Sequence, residues 1–505
     1  MGYPRGRECK LSTPSKAASG VSGLDDILSG GFAKGALFLV EGSPGTGKTT
    51  IALRFLLEGA AAGERNLYIT LSETKDELLQ GAASHGWAVG SNIEIFELQP
   101  PESVLSAEKQ QSLLYPSDLE LSETVKLIFD AVERLRPDRI VIDSLSEIRL
   151  LAQNSLRYRR QLLALKHYFS RRDATVLALD DLTTDVLDKT AHSIAHGVIR
   201  LEELTPSYGA DRRRMRVMKY RGQAFRGGYH DFVIRTGGVE IFPRLVSKEH
   251  HASFTPILLS SGNVELDALL GSGIQSGSST LILGPAGCGK SLLGFQFAAA
   301  AIGRGEKAAL FAFDEELGLL FRRTKAMGID LERFRNEGSL FVEQVDAAEL
   351  SPGEFAHKVR HCVEKDDVRL LMIDSLNGYQ SAMPDEQSLT LHMHELLQFL
   401  NRQGIATLVT VAQHGVVGEL KTSVDFTYLA DTVLLLRFFE AEGQVRRAIS
   451  VIKKRTGTHE DTIREFKIGS RGLMLGDPLK HFVGVLGGIP TYTGPATPLL
   501  KKQET

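Results

Sequence analysis

Gly42-Ser43-Pro44-Gly45-Thr46-Gly47-Lys48-Thr49 and Gly284-Pro285-Ala286-Gly287-Cys288-Gly289-Lys290-Ser291 both satisfy the pattern G-x-x-x-x-G-K-[ST]. The spacing has a physical reason. The glycines let successive backbone N–H groups turn onto phosphate oxygens, and the helix that follows adds its positive N-terminal potential. The lysine reaches the β- and γ-phosphates, and the Thr49 or Ser291 hydroxyl is placed to ligate Mg²⁺. Nucleotide contacts are expected from Ser43 to Thr50 and from Ala286 to Leu292. A single match can be an inconsequential glycine-rich turn. Two in matching surroundings point to two nucleoside triphosphate sites.

Those surroundings are the opening of a parallel α/β sheet. Residues 36–40 and 280–283 are short apolar runs that read as buried strands. After each loop comes an apolar helical stretch, 51–62 and 292–302, closed by Gly63 and Gly303. Strand, phosphate loop and helix together start an α/β domain of the P-loop type.

The rest of each half repeats as well. Lys48 and Lys290 are 242 residues apart (290 − 48), and Glu73 and Glu315 keep that separation (315 − 73). Asp143, in Arg139-Ile140-Val141-Ile142-Asp143-Ser144-Leu145, and Asp374, in Leu370-Leu371-Met372-Ile373-Asp374-Ser375-Leu376, are 231 apart (374 − 143). The 11-residue difference (242 − 231) fits an insertion in the polar, helix-poor stretch 100–121. The lead-ins match too, Gly23-Leu24-Asp25-Asp26-Ile27-Leu28 against Glu265-Leu266-Asp267-Ala268-Leu269-Leu270. The expected organisation is a first domain over 1–246, a homologous second over 247–490 and a short flexible tail over 491–505. The changeover lies at 243–256, where Ser247-Lys248-Glu249-His250-His251 forms a polar linker.

Composition narrows the function classes. At 505 residues the chain can bury two large cores, and 42% hydrophobic with 24% charged residues is ordinary for soluble globular proteins. A net charge of −3 leaves no footprint for bulk nucleic-acid binding. No apolar run approaches the roughly 18 residues that span a bilayer, and the N-terminus lacks a signal-peptide core. A cytoplasmic protein is expected, with neither membrane nor nucleic acid as partner. Cys9, Cys288 and Cys362 are too scattered for a disulfide framework or a zinc site. Cys288 reads as a small filler within its loop rather than as a redox switch.

The acids carry the remaining chemistry. Asp143 and Asp374 end apolar runs, at the carboxyl edge of central strands where open parallel sheets bind ligands. A carboxylate there supports a hydrated Mg²⁺ beside the triphosphate. The plainer alternative is a helix cap, since Ser144 or Ser375 follows. Glu73 and Glu315, with Asp314 beside the latter, also follow apolar strands. Hydrolysis needs a carboxylate to orient or deprotonate the attacking water. Their plainer alternative is an acid favouring the dipole of a following helix, such as 75–80.

Tandem P-loop domains with acids after the second strand and Ile-Asp-Ser-Leu after the third resemble the KaiC family, the ATPases and autokinases of bacterial circadian clocks. The resemblance covers about residues 12–490. It implies two tandem RecA-like P-loop NTPase domains, each a mainly parallel sheet flanked by helices. It implies a two-tiered homohexamer with ATP and Mg²⁺ at each subunit interface, ATP hydrolysis in the first domain and serine/threonine autophosphorylation in the second. Partners are then further copies of the chain and clock or two-component signalling proteins.

Family residues carry over unevenly. Lys219 and Arg221, and Lys453 and Arg455, resemble cations supplied to a neighbouring subunit's γ-phosphate; residues two apart on a strand share a face. The plainer reading is a cationic strand edge that resists aggregation. The family's paired glutamates become Ser72-Glu73, lacking the first acid, and Asp314-Glu315, whose first acid is one methylene shorter. The family's acceptor Ser-Thr becomes Thr427-Tyr428, ahead of Asp431-Thr432 and an apolar strand, so Thr427 keeps a hydroxyl and Tyr428 departs. Packing at a strand entrance explains that pair equally. The first domain has His192-Ser193 at the corresponding place. The tail, with Pro490, Pro495 and Pro498, lacks a long helical extension. Two rival classes share the core: a RecA-type DNA-dependent ATPase, which needs basic mobile loops, and a nucleotide-gated signalling scaffold without kinase activity. The arginines at 157, 159, 160, 171, 172 and 212–214 read as solvated faces and a hairpin edge.

Overall fold

The computed structural model describes residues 15–98, 116–182, 189–206, 209–313, 315–382, 386–413, 426–470, 472–487 and 490–494. The chain divides into two compact units, 1–244 and 245–505.

In the first unit β1 (Lys16–Ala17) pairs with β2 (Phe32–Ala33), with α1 (Leu24–Ile27) between them. β3 (Leu37–Gly42) runs through the phosphate loop into α2 (Lys48–Ala61). Then come β4 (Asn66–Thr70), α3 (Lys75–Ser84), β5 (Ile93–Glu97), α4 (Pro116–Leu135) and β6 (Arg139–Asp143). They are followed by α5 (Leu145–Ala152), α6 (Ser155–Ser170), β7 (Thr175–Asp181) and α7 (Thr190–Ile194). A meander closes the unit: β8 (Gly197–Leu204), β9 (Arg212–Tyr220), β10 (His230–Arg235) and β11 (Gly238–Phe242). The nine-stranded sheet has the order β5-β4-β6-β7-β3-β8-β9-β10-β11, parallel from β5 through β8 and antiparallel beyond.

The second unit repeats this. Its first elements are β12 (Leu258–Leu259), α8 (Val264–Leu269), β13 (Ile274–Gln275), β14 (Ser279–Gly284), α9 (Lys290–Gly303) and β15 (Lys307–Ala312). Next are α10 (Leu317–Ala326), α11 (Leu331–Asn336), β16 (Leu340–Gln344), α12 (Pro352–Asp366) and β17 (Val368–Asp374). After α13 (Leu376–Ala382), α14 (Glu386–Arg402) and β18 (Ala406–Ala412) come β19 (Thr432–Ala441), β20 (Gln444–Lys454), β21 (Arg464–Gly469) and β22 (Gly472–Pro478). The order β16-β15-β17-β18-β14-β19-β20-β21-β22 matches the first sheet strand for strand.

Both faces of each sheet are covered, which is why the central strands are apolar throughout. Alternate residues serve opposite cores. Phe38 and Val40 of β3 pack with Phe32, Phe55 and Phe232, whereas Leu37 and Leu39 pack with Tyr158, Leu165 and Phe169. In β14, Ile282 joins Phe295 and Phe297, while Leu281 and Leu283 join Phe355 and Phe399.

Three boundaries differ from the sequence reading. The inserted stretch lies mostly outside the described residues (99–115), but helix begins at Pro116, inside the region read as helix-poor. Helix α9 runs through Gly303, and the left-handed turn comes at Gly305 (φ 88°), because one glycine at a helix end does not by itself break the ladder. Pairing of Thr491–Tyr492 with Phe482–Val483 carries regular structure past the point where the tail was placed.

Candidate nucleotide sites

Each phosphate loop leaves the carboxyl end of a central strand and enters a helix through glycines in the left-handed region, Gly45 (φ 84°) and Gly47 (φ 94°), then Gly287 (φ 75°) and Gly289 (φ 110°). A Cβ added at Gly45 or Gly287 would meet nothing within 4 Å, so it is the left-handed backbone and not crowding that calls for glycine there. Lys48 Nζ donates to the Gly42 and Ser43 carbonyls, each at 2.9 Å, and Lys290 Nζ donates to those of Gly284 and Pro285 at 3.0 and 2.8 Å. Thr46 Oγ1 braces the first loop by donating to the Ser43 carbonyl at 2.8 Å. Its counterpart Cys288 is buried, and burial pushes its thiol pKa up, which matches a filler and not a reactive thiol.

Asp143 and Asp374 end β6 and β17 and are each followed by a cis peptide bond. In the first unit Asp143 Oδ2 accepts from Thr49 Oγ1 at 3.3 Å, so the two expected metal donors meet. A hydroxyl and a carboxylate are hard oxygen donors, a set that fits Mg²⁺ completing its shell with water and phosphate. Asp143 and Thr49 would hold it in one unit, Asp374 and Ser291 in the other. Asp143 is not the N-cap of the helix after it: Ser144 holds that place at α5, without a side-chain cap bond.

Sequence reasoning missed the groups that hold these aspartates. Tyr68, fully buried in β4, donates its hydroxyl to Asp143 Oδ2 at 2.5 Å. Burial, then the Asp143 charge, pushes the tyrosine pKa well above its ordinary 10. Burial likewise raises Asp143, against the hydrogen bonds from Tyr68 and Thr49. In the second unit Leu310 stands at the register position of Tyr68, and Thr410 of β18 donates to Asp374 Oδ1 at 2.5 Å. The same carboxylate is thus braced from the strand on its other side.

The candidate bases diverge. Glu73 lies one residue before the N-cap of α3, and the cap is a box formed by Thr74 and Glu77, so Glu73 is not the capping acid. Burial, then Asp143, Glu77 and Asp181, raises its pKa, and Lys48 pulls it down, which places Glu73 in the field of the nucleotide site. Glu315 instead pairs with Arg323 at 2.5 Å, and Glu316 caps α10 by accepting from Gly318 and Leu319. Gly81 takes the place of Arg323 in the first unit, 242 residues earlier (323 − 242). Asp314 lies outside the described residues.

Lys219 and Lys453 lie near the ends of β9 and β20, and Arg221 and Arg455 directly follow those strands. Lys219 Nζ donates to the carbonyls of His192 and Ala195, the latter at 2.7 Å, and Arg221 to that of Ser193 at 2.5 Å. Lys453 Nζ donates to Thr427 and Ala430 at 2.8 and 2.7 Å, and Arg455 to Tyr428 at 3.2 Å. In both units the pair holds the carbonyls of the segment before the next strand, the segment that carries Thr427 and Tyr428. Tyr428 is 53% exposed. His192, at Thr427's place, bonds Glu41 at 2.6 Å, and Arg200 bonds the same buried carboxylate at 2.6 Å. Burial raises Glu41, but hydrogen bonds and charge from His192 and Arg200 outweigh it and hold the carboxyl below its ordinary value. The second copy has Leu283, Thr427 and Leu435 there.

No helix among the described residues is long and apolar enough to cross a membrane. The family model described as "ATPase: KaiC" matches residues 17–246 and again 259–480. The chain is 27% identical over 485 residues to the circadian clock protein KaiC3 of Synechocystis sp., covering 95% of each. It is 28% identical over 495 residues to the circadian clock oscillator protein KaiC of Synechococcus elongatus, covering 94% of this chain and 92% of that one. With Thermostichus vulcanus KaiC the identity is 26% over 486 residues. Two nine-stranded P-loop units, each with lysine, hydroxyl and strand-end aspartate in place and each matched by the family model, make this chain a member of the KaiC ATPase family.

Proposed function

We propose that the chain hydrolyses Mg·ATP in its first unit and phosphorylates itself in its second, as a hexameric double ring acting in circadian-type or two-component signalling regulation. The observation that carries the reading is common to both units: a P-loop lysine and hydroxyl at the head of a helix share the ligand edge of the sheet with an aspartate ending a parallel strand one strand removed, and in the first unit Thr49 reaches Asp143 at 3.3 Å. The loop backbone and Lys48 or Lys290 bind and orient the triphosphate. Mg²⁺, when bound, neutralises charge on the phosphates. In the first unit Glu73 receives the proton of the attacking water; its raised pKa makes it a stronger proton acceptor than an ordinary glutamate.

For the second unit the acceptor is Thr427, with Tyr428 unmodified, and Asp314 or Glu315 takes the hydroxyl proton. Lys219, Arg221, Lys453 and Arg455 act across subunit interfaces by holding the segment that reaches the neighbour's phosphate. The clock names of the relatives support the regulatory setting. A scaffold reading without kinase activity is favoured by one observation, the Glu315–Arg323 pair, which occupies a candidate base.

Equilibrium binding should give two nucleotides per chain, falling to one in Lys48→Ala and in Lys290→Ala; one per wild-type chain sinks the two-site reading. Light scattering with an ATP analogue should show a closed hexamer. Incubation with labelled ATP should place phosphate on the 412–432 peptide, lost in Lys290→Ala and Thr427→Ala and kept in Lys48→Ala. An unlabelled peptide under conditions of ATP hydrolysis leaves the scaffold.

A further inference from the structure

Lys48 and Lys290 sit alike at the heads of α2 and α9, yet among the described residues only Lys48 forms an ion pair. β7 ends in Asp180-Asp181, and Asp181 lies in register with Gly42 at the end of β3. Its Oδ1 is 2.7 Å from Lys48 Nζ. At the matching register opposite Gly284, β18 ends in Val411-Ala412. The first site therefore carries a carboxylate paired with its lysine at the strand-end position beside the loop, and the second has a methyl group at that register.

Location gives Asp181 its leverage. It stands at the ligand edge with its side chain 30% exposed, while Lys48 is 7% exposed, so the pair is partly shielded from screening by water. Its backbone is fixed: Asp181 N–H donates to Ser146 Oγ at 3.0 Å, and Leu182 N–H to the Gly42 carbonyl at 3.2 Å. The carboxylate is thus held beside the phosphate loop, and its field reaches both Asp143 and Glu73.

We propose that Asp181 is an affinity-determining residue of the first nucleotide site: it shares Lys48 with the triphosphate and sets a negative charge beside the γ-phosphate, so this site binds ATP more weakly than the second. The proposal rests on the reading that both loops bind Mg·ATP. Like charges brought together disfavour the bound state, and an ion pair shared with a second anion contributes less to each. ADP, lacking the γ-phosphate, feels the carboxylate less. Asp181 therefore also narrows the preference of the first site for ATP over ADP.

The test uses the full chain with one site silenced and reads equilibrium binding of fluorescent ATP and ADP analogues. In a Lys290→Ala background, Asp181→Asn should tighten ATP about five- to tenfold, the size of one partly shielded ion pair, and ADP less. In a Lys48→Ala background, Ala412→Asp should weaken ATP at the second site by a similar factor, with Ala412→Asn as the control for bulk. Unchanged or weaker ATP binding in Asp181→Asn overturns the proposal, as does equal tightening of ATP and ADP. Ala412→Asp binding like Ala412→Asn overturns it independently of how Asp181→Asn folds. Fewer than two nucleotides per wild-type chain marks instead the failure of the two-site reading.

Discussion

Removing one hydroxyl tests whether Asp143 serves the first site as its position implies. Tyr68 OH donates to Asp143 Oδ2 at 2.5 Å inside the core, and Thr49 adds a longer bond of 3.3 Å to the same oxygen. Asp143 is 6% exposed, and burial already works against its charged form. A hydrogen bond to a charged group contributes about 1.5–3 kcal/mol net, and its loss leaves a buried carboxylate poorly solvated. Tyr68→Phe should therefore lower unfolding free energy by about 2 kcal/mol. It should also raise the Mg²⁺ concentration for half-maximal first-site turnover by about ten- to a hundredfold, at about 1.4 kcal/mol per decade.

The assay is ATP turnover against Mg²⁺ concentration in a Lys290→Ala background, with denaturant unfolding run alongside. The second unit supplies a rescue. There Thr410 braces Asp374 from β18, so Leu179→Thr, at the equivalent register position in β7, should recover part of the loss in Tyr68→Phe. Thr410→Val should produce the matching defect at the second site. An unchanged Mg²⁺ dependence in Tyr68→Phe refutes the reasoning, and so does a Tyr68→Phe, Leu179→Thr double variant no better than the single.

Glu73→Gln should cut first-site hydrolysis by about a hundredfold or more. Because the Glu73 pKa is raised, activity should fall with acid at a pH above that of an ordinary glutamate, and Asp181→Asn should move this acid limb downward. At the second site Glu315→Gln should matter less, since Arg323 already holds the carboxylate; Arg323→Ala should raise hydrolysis there, and no change would tell against Glu315 as a base. His230 accepts from Arg244 N–H at 2.8 Å through Nδ1, and burial lowers its pKa from 6.5 to about 4. Its neutral form therefore contributes stability that is complete above pH 6.5 and lost as pH falls toward 4, about 3 kcal/mol at 1.36 per unit; denaturant midpoints of wild type and His230→Gln at the two ends of that window should show the slope flattened in the variant. Glu41→Leu alone should cost about 3–5 kcal/mol by stranding Arg200, whereas adding His192→Thr and Arg200→Leu, the second unit's residues, should restore most of it in thermal unfolding.

The tandem, mainly parallel α/β fold was legible because a few positions constrain it. A P-loop fixes a buried strand and a helix on either side of it, and an acid ending an apolar run can only lie at the ligand edge. What sets the environment of those acids was not legible, because it comes from strands that are neighbours in space alone. Tyr68 in Asn66-Leu67-Tyr68-Ile69-Thr70 and Thr410 in Thr407-Leu408-Val409-Thr410 are polar residues within strands buried on both faces, and each proved to be a brace for an aspartate. The cations were legible as a pair on one strand face, while their carbonyl partners depended on the backbone path through 190–196 and 427–431.

The duplication holds a signal that neither copy holds alone. A buried charge is costly unless partnered, so polar residues enter a core in sets. Glu41, His192 and Arg200 stand where the second unit has Leu283, Thr427 and Leu435; the three differ together because the carboxylate needs both donors. Glu73 and Glu315 are the same acid in both copies, and only the partner differs, Gly81 against Arg323. Asp181 against Ala412 departs from the Glu41 set, since its partner Lys48 has the counterpart Lys290 in the other copy and is required by the phosphates. A lone acid set against a lysine that the site itself needs is not repaying a desolvation cost. That places it with the chemistry of the site and not with the packing of the core.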